Sequence, residues 1–82
     1  MNKKIITAID GEKKEYSIIL EFTSNVTGKN YVFYYDDVAK AIIYAYYKID
    51  GDMYVVEPIE SEEEKIMCQN IINDIKNYSQ DA

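Results

Sequence analysis

The chain is 82 residues long with a formal charge of −6, 48% apolar and 29% charged, which leaves room for one small domain and excludes a disordered segment. It has no His, no Trp and one Cys, and all nine basic residues are Lys. Imidazole-based catalysis, an imidazole-rich metal centre and an internal disulfide are therefore closed to it, and the bidentate fork that reads phosphates is absent.

Residues 5–9 form a β-branched run, and Asp10-Gly11 follows as a turn dipeptide, so a first strand and hairpin are expected. From Glu15 to Phe22, the residues Tyr16, Ile18, Leu20 and Phe22 alternate with Glu15, Ser17, Ile19 and Glu21, the period of a strand with one apolar face. Residues 23–29 are rich in Ser, Thr, Asn and Gly and read as a loop before Tyr31–Tyr35, a third strand apolar on both sides. Ala41–Ile49 and Met53–Glu57 flank Asp50-Gly51 and read as a further hairpin.

In the fourth strand, Ile43, Ala45, Tyr47 and Ile49 suit a covered face, leaving Ile42, Tyr44, Tyr46 and Lys48 toward water. Pro58 ends the fifth strand. Ser61 with Glu64 three residues on matches a capping box, in which the carboxylate would reach back to the Ser61 amide. The stripe Met67, Ile71, Ile75 and Tyr78, widened by Cys68 and Ile72, predicts an amphipathic helix over 61–78, with 79–82 fraying. The expected fold is α+β in a single domain, 1–82: an antiparallel β-meander of about five strands over 4–59, with the C-terminal helix packed on one face.

One helix covers one face, so part of the apolar surface should stay open. Tyr34, Tyr44, Tyr46 and Tyr54 are the candidate interaction surface, since tyrosine offers large contact area with a hydroxyl at low rotamer entropy. Glu60, Glu62, Glu63 and Glu64 form a candidate acidic contact patch within Asp50–Glu64, which holds seven acids and no base. Acids there also offset the helix dipole. Cys68, inside the helix, reads as a buried and inert thiol.

Several motifs together resemble the YrzB-like family, a domain-of-unknown-function family of short acidic proteins found mainly in Firmicutes. They are Phe22-Thr23 through Thr27-Gly28-Lys29-Asn30-Tyr31-Val32, the Tyr-Ala-Tyr-Tyr strand at 44–47, and Glu57-Pro58-Ile59-Glu60 leading into Glu62-Glu63-Glu64 and a helix. The likeness runs from about Ile5 to Ile75, while Lys65-Ile66 replaces an aromatic that often follows the acidic run. It implies a cytosolic bacterial protein and assigns no functional residue.

The functional expectation is a non-enzymatic, cytoplasmic interaction module that uses the tyrosine-bearing sheet face or an edge strand to bind another protein or a second copy of itself, with homodimerisation one outcome. No catalytic, cofactor or metal residue is assigned. A second reading is an acidic decoy that mimics nucleic acid and occupies the basic groove of a nucleic-acid enzyme; a third is weak divalent-cation binding by surface carboxylates. Direct nucleic-acid binding is disfavoured by the negative field, and no apolar run approaches the roughly 20 residues of a membrane-spanning helix.

Overall fold

The alternation in residues 15–22 does form a strand, but its two faces pack against different partners. The computed structural model describes residues 3–7 and 11–80, the side chains of 78–80 excepted. Asp10 of the expected first turn and the Tyr78 side chain of the helix stripe lie outside the described residues. Five strands, β1 (Lys3–Thr7), β2 (Lys13–Thr23), β3 (Asn30–Asp36), β4 (Ala41–Asp50) and β5 (Met53–Glu57), precede one helix, α1 (Glu62–Gln80). The fold is α+β as expected, with the helix running to Gln80 where fraying was expected.

The sheet is not an open meander. Each strand pairs antiparallel with the next, and β1 then pairs parallel with β5 through Ile5–Met53, Ile6–Tyr54 and Thr7–Val55, closing a barrel. Closure joins the two edges a meander would leave free. Among the described residues, β2 beyond Ser17 pairs only with β3, because the pairing of β1 ends at Lys3 opposite Ser17.

Turn chemistry accounts for the connections. Ser24 Oγ accepts the amides of Val26 and Thr27 at 3.1 and 3.3 Å, and Gly28 donates to the Ser24 carbonyl at 2.9 Å, so the β2–β3 loop binds its own polar groups. Asp36 Oδ1 likewise accepts from Val38 and Ala39 and folds the β3–β4 turn, which ends on Lys40 with φ 53°. Gly51, with φ 63°, opens the two-residue β4–β5 hairpin between the paired Asp50 and Met53.

Two apolar layers result. Inside the barrel, Ile6, Val32, Tyr34, Ala45, Tyr54 and Val56 are buried, with Tyr16, Ile18, Ile43 and Tyr47 packed on them. On the outer face, Tyr31, Phe33, Ile59, Cys68 and Ile72 form a second core between the sheet and α1. The expected face assignment of β4 holds in part: Ile43, Ala45 and Tyr47 are covered, though by the barrel interior and not by the helix, Ile49 is exposed, and Ile42, Tyr44 and Tyr46, expected toward water, belong to the layer under the helix. Lys48 shares the outer face but lies beyond the helix, where it pairs with Glu57 at 3.4 Å.

Candidate functional site

The four tyrosines expected to form one open surface do not share a face. Tyr34 and Tyr54 are buried in the barrel, while Tyr44 and Tyr46 are half-buried against the helix layer. Ring contacts follow the same division: inside, Tyr16 meets Tyr34 at a tilt with centroids 4.8 Å apart and Tyr47 stacks on Tyr54 at 4.9 Å, and outside Phe22 stacks on Tyr31 at 5.1 Å. The expectation of a bare tyrosine face fails because a closed barrel fills its interior with side chains and leaves the convex face to the helix.

The acidic patch also divides. Ser61 caps α1, accepting the Glu64 amide at 3.5 Å, but among the described residues the Ser61 amide makes no capping-box hydrogen bond to the Glu64 carboxylate. Both its oxygens are taken instead by phenols, Oε1 by the Tyr31 hydroxyl and Oε2 by the Tyr46 hydroxyl at 2.5 Å. Tyr31 also meets Thr27 Oγ1 at 2.9 Å, and the Lys29 ammonium lies 4.5 Å from the centre of the Tyr46 ring. The Tyr31 and Tyr46 bonds hold the Glu64 carboxyl below its usual range. Burial, reinforced by that carboxylate, raises Tyr31 and pushes Tyr46 up to about 12. This cluster ties the start of the helix to the barrel.

Glu60, Glu62 and Glu63 stay exposed beside it. Among the described residues, no group of three or more acidic or Cys side chains is placed to hold a metal ion. A second phenol–carboxylate pair, Tyr54 to Glu21 at 2.6 Å, stands where β2 leaves β1, and that bond is the main cause lifting Tyr54 to about 12. Burial pushes the Cys68 thiol up to about 11, so it is not poised as a thiolate.

Beyond this cluster an open site remains on the outer face. Register aligns three rows of side chains across β2, β3 and β4: Phe22–Tyr31–Tyr46, then Leu20–Phe33–Tyr44, then Ser17–Tyr35–Ile42. Cys68 and Ile72 pack with the first two rows. The third row stands at the edge of that core, on which Ile19 and Ile42 still pack, and with the helix residue Ile75 it borders a groove of about 780 Å³, a size typical of ligand sites. Lys40, Lys76 and Asp37 stand on its rim. Ile19 lines it because the β2–β3 register shifts between Ile18 and Leu20, a bulge that leaves Ile19 unopposed.

None of the groove residues was singled out from the sequence. The available signal was the unbroken run Ile18-Ile19-Leu20, which departs from strict alternation at the bulge. Among the described residues, no helix is long and apolar enough to cross a membrane. Compared with protein-family models, curated proteins and solved structures, the chain gives no significant match.

Proposed function

We propose that the protein is a non-enzymatic interaction module that receives an extended segment of another protein in the groove between the Ser17–Tyr35–Ile42 row and the C-terminal half of α1. One observation carries this reading: at the edge of the layer under the helix, Ile19, Tyr35 and Ile42 from the sheet and Ile75 from α1 line an open groove, an apolar wall on either side. Two further observations support the absence of catalysis. The Glu64 carboxylate is spent on two structural hydrogen bonds, and the Cys68 thiol is buried and held protonated. A reducing cytoplasmic setting and kinship with the YrzB-like proteins belong to the same proposal, the first resting on an unpaired buried cysteine.

Photo-crosslinking tests it, with benzoylphenylalanine replacing Tyr35 in the groove or Ile66 on the exposed side of the helix. A discrete heteromeric adduct from position 35 that is missing from position 66 and lost on Ile75→Asp is expected. Equal adducts from both positions overturn the reading, and an adduct of twice the chain mass identifies a second copy as the occupant instead. Charge reversal at Glu60, Glu62 and Glu63 should leave the adduct intact; its loss would favour the acidic-decoy reading.

A further inference from the structure

Resting on that reading of the groove, we infer that its occupant is an acidic segment, one that seats an apolar or aromatic side chain on Ile19, Tyr35 and Ile42 and brings carboxylates to Lys40 and Lys76. The two lysines come from separate elements, the β3–β4 turn and the last third of α1, and converge on one rim. Neither has an ion-pair partner among the described residues, whereas Lys48 pairs with Glu57 and Lys65 with Glu62. Asp37 is the single acid on that rim. A protein of charge −6 thus presents its open apolar groove under a locally positive lip, and opposite charge at the rim selects partners and speeds their arrival.

The backbone adds a second observation. Lys40 is the only described residue other than glycine with positive φ, at 53°, a conformation that Gly or Asn adopts more easily. The β3–β4 turn already has its Asp36 hydrogen bonds, so turn formation alone does not call for a lysine there. A non-glycine residue held in that conformation at the lip of a recess supports a functional reading of the position. A nucleic-acid backbone is a poor fit, because two lysines over an apolar floor neutralise too few phosphates.

Selection from a random peptide library against the full chain tests this, followed by titration of individual enriched peptides with amide chemical shifts as the readout. Enriched peptides should carry Asp or Glu next to apolar residues and shift the amides of 17–19, 35, 40–42 and 75–76. They should bind at least about tenfold more weakly to Lys40→Glu/Lys76→Glu; both lysines are exposed and lie outside either core, so this variant should fold. Neutral or basic peptides that shift the same amides, fail on Ile75→Asp and ignore the lysine changes would overturn the acidic occupant while keeping the groove as a docking site. Absence of enrichment, or peptides that map elsewhere, overturns the inference. Binding of decanoate or of anionic phosphatidylglycerol vesicles at the groove in place of any peptide overturns it too.

Discussion

The Tyr46 hydroxyl donates to the Glu64 carboxylate across 2.5 Å, tying the first turn of α1 to the middle of β4. The Tyr31 hydroxyl takes the other oxygen of the same carboxylate from β3. The helix therefore rests on an apolar layer and is also indexed to the barrel at one end by charge-assisted bonds, which are stronger and more directional than apolar contact. Its other end has no such tether among the described residues, and there the groove opens.

Acid should loosen this joint. The folded-state pKa of Glu64 is held below its ordinary value, so its contribution is complete above the unfolded carboxyl range and is lost as pH falls through the folded value. Melting temperature followed from about pH 5 down to about pH 3 should fall less steeply for Glu64→Gln than for the native chain. Parallel curves for the two proteins would show that the carboxylate is not the titrating link.

Tyr31→Phe keeps the ring stacked on Phe22 but removes the donor between Thr27 and Glu64. The expected loss is about 1–2 kcal/mol in urea unfolding with an unchanged m-value. In a Glu64→Gln background the same substitution should cost less, because the two side chains share one interaction.

Alkali should act through the phenols. Burial raises Tyr34 to about 12, burial with the Glu64 hydrogen bond raises Tyr46 to about 12, and the Glu21 hydrogen bond with burial raises Tyr54 to about 12, while burial above all also raises Tyr31 and Tyr47. Their neutral forms are favoured in the fold, so this stability is full below the unfolded tyrosine pKa near 10 and is lost as pH rises toward 12. Tyrosinate absorbance should show a fraction of the nine tyrosines ionising only as far-ultraviolet circular dichroism reports unfolding. Complete ionisation near pH 10 with the fold intact would contradict the burial described.

Lys40→Asn should raise stability by about 0.5–1 kcal/mol, since Asn tolerates a φ of 53° better than Lys. The same variant should bind groove ligands less well. Stability and binding would then move in opposite directions at one position, and thermal melts set beside peptide titrations would register both.

Cys68 should resist thiol reagents while the chain is folded. It is completely buried and its thiol is raised to about 11, so Ellman's reagent should react at the rate of global opening and accelerate in urea. Fast labelling in native buffer would require α1 to leave the sheet readily.

The strands were legible because their alternation and turn residues are local. Ser17 to Phe22 repeats with period two, Asp50-Gly51 marks a hairpin, and Ser61 begins the helix. Which face each strand turns inward was not legible. A barrel with a helix on its outside has two apolar faces, and Ile42-Ile43-Tyr44-Ala45-Tyr46-Tyr47 is apolar at every position, so periodicity cannot choose between them. Lys48 did indicate the outward side correctly, but on that side the helix, not water, covers Tyr44 and Tyr46. The Glu64 bonds join residues 33 and 18 positions apart, and the groove needs four elements at once. Neither leaves a mark in any short window of sequence.

Closure of the barrel by β1 against β5 has a consequence for how the chain is made. The first strand to leave the ribosome finds only β2 within local reach; its other neighbour, β5, begins at Met53 and emerges last of the strands. Until then one side of β1 and the apolar inner face of β2 stay open to water, and the loop that must close spans most of the chain. The nascent protein should therefore fold late and nearly all at once, and its period of greatest aggregation risk falls during synthesis.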